Sequence, residues 1–496
     1  MLGRFLFPLL ALALHAAAAA AGDAVLATTD PRFVALVDLV RSAEGGYVSE
    51  SIAVVDSGDE RGNIVVARQP IAIGETIAVF PKSIFLTHAT LPSLTPQLRE
   101  KTQSFWDRQD VLSPRRLFPI KILHEALRAR KGESPWKAWF DVLPDTFATP
   151  PFMSDVEQGA LVGTTLEGAG DFMNRFYNDF FQPVRDHVLR HNEDVFPPDK
   201  FTPEAYRWAA SVMSSRSFHS PLSNENMVPL LDMFNSDWDR CSSYYFEEDK
   251  NAFVLKAWMV DYAIGDEIFI NYRSASNADL LNVYGYVVPN NPFDYLTLEF
   301  ESKLGEEADA DEEKRSRLLT TRGYGRMPIL YLDMYRSDPL PLRALSVARI
   351  VALNASELAA YDEHEDVFML PILEYEHEEN DGHESVEELT LARTNHLLDM
   401  ALEPPYENSL RALKMLMTSI LNRIAKYDTT IEQDLVLRKQ SYLTRGMQSA
   451  IEVRLTEKRI LSVALNIIAQ GRAEVLDAME RQARAERMFR ATKDDL

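Results

Sequence analysis

The spacing of apolar residues predicts that the chain begins as a mixture of helices and strands. Residues 31–44 carry apolar side chains three and four positions apart, and Asp30 before Pro31 is typical of a helix start. Residues 59–81 have the pattern of two strands that turn at Gly74. Helix and strand patterns therefore both occur within the first part of the chain.

Helical patterns dominate the middle and the end of the chain. Residues 90–210 are mostly helical in pattern, with breaks at proline and glycine. An acidic, apolar-poor stretch at 301–316 predicts a linker or an exposed loop. Beyond it, residues 317–375 and 385–488 are predicted to form helices, most clearly at 409–426 and 440–470, and a solvated loop is predicted at 374–388. The second part is therefore predicted to be an all-helical domain.

One segment, residues 227–286, has the order of elements from which a functional site is built. An apolar run ends in a turn at Asn235, strand-like runs follow, and the run IFINY ends at Tyr272. A short predicted helix then leads to Tyr284. The segment brings a turn and two tyrosines from different elements, which favours a site here.

Length, charge and cysteine content narrow the class of protein. A chain of 496 residues exceeds what one hydrophobic core usually serves, so two or more domains are expected. The formal charge of −23 argues against a nucleic-acid-binding surface. It would make a basic protein partner easier to recruit, and an acidic surface that only keeps the protein in solution explains it equally well. With Cys241 as the single cysteine, an intramolecular disulfide and a cysteine-based zinc cluster are both excluded.

Four motifs carry a resemblance to a known family. They are VPLLDMFN at 228–235, GDEIFINY at 265–272, SNADLLNVYGY at 276–286 and the tetrapeptide SRSF at 215–218. In order and spacing they resemble the SET-domain methyltransferases, in the branch typified by the Rubisco large-subunit lysine methyltransferase.

The resemblance implies an α+β fold and a reaction. It implies a SET-domain β-fold over residues 30–300 with a helical insert at about 90–210, followed by an all-α C-terminal substrate-binding domain over 317–488. The expected activity is that of an S-adenosylmethionine-dependent protein-lysine N-methyltransferase that acts on a protein substrate. No metal is expected, and the oligomeric state stays open.

The same resemblance implies roles for particular residues. The catalytic residues are expected to be Tyr272 and Tyr284. The cofactor-binding residues are expected to be Gly62, Asn63, Arg216, Asn235, Ser236 and Tyr272. Substrate contacts are expected from Phe218, Tyr284 and Tyr286. Trp136 and Trp139 are predicted to be core residues, and Asp232 is predicted to brace the turn at Asn235.

Two other functions remain open. Ile64, Ser236 and Arg273 depart from the family pattern, which motivates the alternative of a catalytically silent SET-fold module that binds proteins. Protein-histidine methylation is the second alternative, since the branch includes such enzymes. The chain keeps Phe218 and Tyr284 where the histidine-specific members differ, which favours lysine.

The two ends of the chain predict its location. Residues 1–22 have the short basic start, apolar run and small residues of a signal peptide, and no membrane span is expected after its cleavage. Residues 493–496 read KDDL, one Glu-to-Asp change from an endoplasmic-reticulum retrieval signal. The lumen of that compartment is the first prediction, and a plastid reached by a signal-peptide-led precursor is the alternative.

Overall fold

The computed structural model describes most of the chain as two compact units. The described residues are 27–59, 61–87, 114–221, 223–299, 310–323, 329–333, 340–360 and 406–494. The first unit takes the described residues up to Phe147 together with Asp171–Ser274, and the second takes Ala148–Gly170 together with those from Ala275 onward. The predicted signal peptide at 1–22 and the predicted loop at 374–388 lie outside the described residues.

Helices and strands alternate through the first unit, and helices dominate the second. The helices are α1 (Pro31–Arg41), α2 (Pro114–Arg130), α3 (Lys137–Phe140), α4 (Asp155–Gly159), α5 (Ala169–His187), α6 (Pro203–Arg216), α7 (Asn277–Tyr284), α8 (Ala310–Thr321), α9 (Leu340–Val351), α10 (Ala355–Ala360), α11 (Tyr406–Ile424), α12 (Ile431–Leu437) and α13 (Arg445–Asp494). The strands are β1 (Tyr47–Val48), β2 (Ile52–Asp56), β3 (Asn63–Ala67), β4 (Thr76–Pro81), β5 (Leu86–Thr87), β6 (Ser217–Ser220), β7 (Ser223–Met227), β8 (Cys241–Glu247), β9 (Ala252–Lys256), β10 (Phe269–Ile270), β11 (Tyr295–Glu299) and β12 (Ile329–Asp333). No helix among these described segments is long and apolar enough to cross a membrane.

Small sheets form the framework of the first unit. The largest has the strand order β1-β4-β9-β8-β10, in which β10 pairs parallel to β8 and the other neighbours are antiparallel. Strands β2 and β3 form a hairpin, and β5, β7 and β6 form a third sheet. Strand β10 leads to Tyr272 and strand β6 follows Arg216, so the sheets fix the backbone on which predicted site residues lie.

Helix α1 shows how the local sequence sets an element of this unit. The Asp30 side chain accepts a hydrogen bond from the main-chain N–H of Arg32, and Pro31 occupies the first helical position, where its missing N–H has no cost. Phe33, Leu36 and Val40 recur on one face and are buried in the core of the first unit. The helix predicted from apolar spacing is confirmed.

The second unit is a helical assembly with one small sheet. Its main core is formed by apolar residues of α9, α11 and α13, with contributions from strand β11. Strand β12 pairs antiparallel with β11 and was not predicted, because helical spacing was inferred across the whole region. Its sequence ILYLD has four apolar residues, among them the β-branched Ile329 and the aromatic Tyr331, and pairing with β11 fixes it as a strand.

The predicted acidic linker needs correction at its end. Residues 310–316 were assigned to the acidic linker, but α8 begins at Ala310. Its first turn contains Asp311, Glu312 and Glu313, and negative charge is favoured at a helix N-terminus. The two compact units divide at Ser274, and the predicted end of the SET domain near residue 300 stays a prediction.

A buried ionic cluster holds helices α12 and α13 together. The Asp434 carboxylate is fully buried and accepts hydrogen bonds from the Arg454 guanidinium and from Lys458 Nζ, the latter at 2.7 Å. Thr429 Oγ1 donates to the same carboxylate at 2.9 Å. A buried carboxylate with this many donors compensates much of the cost of its desolvation.

Replacing Asp434 with Ala is expected to destabilise the protein by about 3–5 kcal/mol, because it leaves two cations buried without a counter-ion. Urea unfolding of the full chain measures the change. Asp477→Ala is the control, since the Asp477 side chain is 58 % exposed and pairs with Arg481 at the surface, and it is expected to cost less than about 0.5 kcal/mol. Equal effects of the two variants would contradict a structural role for the cluster.

Candidate active site

Asp232 connects two helices of the first unit to the turn at Asn235. Its Oδ2 accepts a hydrogen bond from Trp139 Nε1 at 3.0 Å and another from Arg216 Nη1 at 3.0 Å. Arg216 Nη1 also donates to the Asp232 carbonyl oxygen at 3.1 Å. Burial raises the pKa of the Asp232 carboxyl, and the Arg216 cation opposes that shift. The predicted bracing role of Asp232 is therefore seen in the structure.

Arg216 keeps part of its hydrogen-bonding capacity for another group. Its Nη1 is used by Asp232, whereas its Nε is buried and has no acceptor among the described residues. A guanidinium presents a planar fork of donors that suits a carboxylate. The side chain is 22 % exposed, so it is held by the protein but still reachable.

Tyr272 is fixed to the Asn235 turn at two points. Its hydroxyl donates to the carbonyl oxygen of Phe234 at 2.8 Å, and its main-chain N–H donates to Ser236 Oγ at 3.1 Å. The Ile270 N–H donates to the Asn235 carbonyl oxygen at 2.9 Å, which joins the same two segments. The structure thus brings together Asn235, Ser236 and Tyr272, as the motifs predicted.

A polar chain connects the same turn to the β2–β3 hairpin. Asn235 Nδ2 donates to Glu267 Oε1 at 2.8 Å, and Arg61 Nη1 donates to Glu267 Oε2 at 2.6 Å. Burial raises the pKa of the Glu267 carboxyl, while Asn235 and Arg61 oppose the shift. Arg61 and Glu267 were not among the predicted site residues.

Gly62 and Asn63 lie in the β2–β3 hairpin, which the hydrogen bonds of Arg61 and Glu267 connect to the Asn235 turn. Gly62 has a φ of +70°, and its carbonyl oxygen accepts from the Ser57 N–H at 2.8 Å to close the turn. Asn63 begins strand β3 and pairs with Asp56. Through Arg61, both residues belong to a segment that is tied to Asn235.

Tyr284 and Tyr286 belong to the second unit. Ser276 caps the start of helix α7, since its side chain accepts a hydrogen bond from the Asp279 N–H, and the helix ends at Tyr284 before Gly285. Gly285 has a φ of +77°, and a Cβ there would lie 3.1 Å from the carbonyl carbon of Ala148, so glycine is required. The two tyrosine rings are half-buried, with centroids 6.2 Å apart. Their predicted role at the acceptor stays a prediction.

Phe218 lies in the core of the first unit. Its side chain is 7 % exposed, and its ring packs edge-on against Tyr244 with centroids 5.3 Å apart. Its predicted contact with substrate stays a prediction, and this packing supports a role in fixing strand β6. Trp136 and Trp139 are buried, as predicted for core residues.

These features are those of the SET-domain fold, and the arrangement of the motifs is similar to that of SET-domain methyltransferases. A family model described as Rubisco LSMT substrate-binding matches residues 306–461, which include most of the second unit's helices. A solved structure of Rubisco LSMT bound to AdoMet matches with a TM-score of 0.67 and 21 % identity, covering 90 % of this chain and 93 % of that one. The predicted fold class, with a helical C-terminal region, is confirmed.

Within that class, the chain is similar to the branch that the motifs predicted. The large-subunit N-methyltransferase of ribulose-1,5-bisphosphate carboxylase/oxygenase from Nicotiana tabacum, a chloroplastic protein, is 25 % identical over 84 % of this chain and 77 % of its own. The chloroplastic fructose-bisphosphate aldolase lysine N-methyltransferase of Arabidopsis thaliana is 26 % identical over 84 % of this chain and 79 % of its own. The prediction of a lysine methyltransferase that uses S-adenosylmethionine is confirmed by these relatives.

The residues of the first unit fit this cofactor. S-adenosylmethionine carries a carboxylate, and Arg216 Nε is a buried donor that lacks an acceptor among the described side chains and main chain. A buried donor without an acceptor destabilises the protein, and a bound carboxylate would remove that penalty. The guanidinium is also anchored by Asp232, so binding a carboxylate requires little further ordering.

Replacing Arg216 with Lys is expected to weaken S-adenosylmethionine binding by about tenfold, which corresponds to roughly 1.4 kcal/mol. Lysine keeps the positive charge beside Asp232 but lacks the planar fork of donors. Isothermal titration of the cofactor measures the dissociation constant. Arg190→Lys is the matched control, since the Arg190 side chain is 60 % exposed. Unchanged affinity in both variants would remove Arg216 from the cofactor site.

Proposed function

We propose that this protein transfers a methyl group from S-adenosylmethionine to lysine side chains of a protein substrate, with Arg216 and the Asn235 turn on the cofactor and Tyr272 at the reacting atoms. The observation that carries the assignment is the attachment of Tyr272 to the turn, through Phe234 and Ser236. A tyrosine held at both its hydroxyl and its main chain is preorganised for a reaction that depends on alignment.

The hydroxyl of Tyr272 has a defined orientation. Because it donates its proton to the Phe234 carbonyl, its oxygen presents lone pairs as acceptors. Such an oxygen can accept a hydrogen bond from the N–H of an incoming amine and orient the nitrogen lone pair. S-adenosylmethionine supplies the electrophilic methyl group, and the protein supplies alignment.

The acceptor lysine must be neutral when it attacks. A free lysine has a pKa of about 10.4, and both desolvation and a neighbouring positive charge favour the neutral form. The proton can leave to water before the attack, so the chain needs no dedicated base. Tyr284 is proposed to hydrogen-bond the amine.

The substrate is proposed to be a protein recognised by the helical second unit. The substrate-binding family model covers residues 306–461, and the net charge of −23 suits a basic protein surface. The first substrates to test are the two proteins that appear in the names of these relatives, Rubisco large subunit and fructose-bisphosphate aldolase. Lysine is favoured over histidine because Phe218 and Tyr284 are retained.

Replacing Tyr272 with Phe is expected to lower turnover by at least about tenfold, or roughly 1.4 kcal/mol of barrier. Tyr284→Phe is expected to keep turnover and to shift products toward higher methylation states, because it removes one hydrogen-bonding partner worth about 0.5–1.5 kcal/mol and leaves the amine freer to rotate. Mass spectrometry of the two candidate substrates measures rates and products. Identical rates and products in wild type and both variants would mean that the site is misplaced.

The location is proposed to be a plastid. The relatives described above are chloroplastic proteins, whereas the predicted endoplasmic-reticulum residence finds no support among them. Of the two predicted locations, a plastid reached by a signal-peptide-led precursor is therefore better supported than the endoplasmic reticulum.

Deleting residues 493–496 tests the location in a cell that contains plastids. Retention in the plastid is expected to be unchanged, because the KDDL tail then has no retrieval role. Imaging of a tagged full-length chain and of the deletion variant makes the comparison. Secretion of the truncated protein would instead support retrieval to the endoplasmic reticulum.

A further inference from the structure

Two hydrogen bonds between Asn277 and Val288, together called the clamp, join the ends of the segment that carries Tyr284 and Tyr286. The Asn277 side chain binds both main-chain groups of Val288, since the Val288 N–H donates to Asn277 Oδ1 at 2.7 Å and Asn277 Nδ2 donates to the Val288 carbonyl at 2.9 Å. Asn277 is 1 % exposed. The twelve residues from Asn277 to Val288, which include helix α7, therefore have their two ends joined by hydrogen bonds.

Asp294 holds Asn277 in place. Its Oδ1 accepts from the Asn277 main-chain N–H at 2.6 Å, and its Oδ2 accepts from Asn277 Nδ2 at 2.9 Å. Asn291 Nδ2 approaches Oδ1 at 3.5 Å and donates more closely to the carbonyl of Ala275, at 2.7 Å. Because Asn277 is the first residue of helix α7, a negative Asp294 also interacts favourably with the N-terminus of that helix.

Helix α13 places further carboxyl groups near Asp294. Glu452 and Glu457 act on it electrostatically, and Thr456 donates a hydrogen bond to it. Glu452 pairs with Arg438 through Oε2 at 3.3 Å, while its buried Oε1 has no partner among the described residues. Burial, together with these two carboxyl groups, raises the pKa of Asp294 to about 7.

We propose that Asn277 and Asp294 are positioning residues for Tyr284 and Tyr286 in methyl transfer, and that the carboxyl groups of helix α13 control this positioning. The inference rests on the proposed function. Residues 452 and 457 fall within the region matched by the substrate-binding family model. Their electrostatic interaction with Asp294 therefore connects that region to the tyrosines predicted to contact the acceptor.

The ionised and protonated forms of Asp294 hold the clamp differently. An ionised carboxylate accepts charge-assisted hydrogen bonds from both donors of Asn277. A protonated carboxyl presents one O–H donor and weaker acceptors to the same donors. The clamp is therefore tighter above about pH 7 and looser below it.

Asp294→Asn is the central test variant, because it mimics the protonated form at nearly constant volume. Turnover is measured on Rubisco large subunit or aldolase. The acceptor lysine titrates equally with wild type and variant, so its effect cancels in the ratio of the two turnover rates. We expect this ratio to rise from near one at about pH 6 to about ten at about pH 8. Asp428→Asn is the matched control at an exposed position of the same unit, and its ratio should stay near one.

Glu452→Gln provides a second test that leaves Asn277 and Asp294 intact. Removing this negative neighbour should lower the pKa of Asp294, so the inflection of the turnover ratio should move to lower pH. A purely structural role for Asp294 predicts no such displacement. An inflection at the same pH would overturn control by helix α13.

Hydrogen exchange gives a readout that does not depend on activity. Amides of residues 277–288 should exchange about tenfold faster in Asp294→Asn than in wild type, whereas those of α1 should not change. Unchanged exchange in 277–288 would overturn the clamp. Faster exchange with a pH-independent turnover ratio would overturn its role in methyl transfer, and an inactive wild type would contradict the proposed function itself.

Discussion

The buried carboxylate of Asp232 is the constraint on which the proposed cofactor site of the first unit depends. Asp232 is 6 % exposed, and a carboxylate in such a place costs several kcal/mol unless donors compensate it. Trp139 comes from α3 and Arg216 from the end of α6, so one side chain fixes two helices on the turn before Asn235. The same contact orients Arg216 while leaving its Nε for a further acceptor. The packing of this region and the proposed cofactor contact of Arg216 therefore depend on one group.

Local features of this arrangement could be predicted from sequence, and long-range ones could not. The start of α1, the burial of Trp139 and the joining of Asn235 to Tyr272 follow from short patterns or motif order. The bond from Arg61 to Glu267 joins residues 206 positions apart, and nothing in either local sequence names its partner. The sequence therefore indicated the turn and the tyrosine, while the packing revealed the chain of polar groups that connects the hairpin to them.

The errors at boundaries have a common physical origin. Acidic composition at 301–316 predicted a linker, yet Asp311, Glu312 and Glu313 stand in the first turn of α8, where negative charge stabilises a helix. Composition alone does not distinguish a solvated loop from a helix start. Likewise, β12 needs β11 as a partner some thirty residues earlier, and a strand that depends on distant pairing gives a weak local signal. Both errors arose because composition and local spacing miss the favourable charge at the start of α8 and the pairing of β12 with β11.

The three departures from the family pattern each have a local structural explanation. Ser236 departs from the family pattern, and its hydroxyl oxygen accepts a hydrogen bond from the main-chain N–H of Tyr272, so this side chain itself helps to hold the predicted catalytic residue. Ile64 is buried with Ala53 and Val66, where an apolar side chain stabilises the hairpin. Arg273 is exposed, so its charge remains solvated. Since none of the three disrupts the contacts of Asp232, Asn235 or Tyr272, the departures argue for an adapted active site and against a silent one.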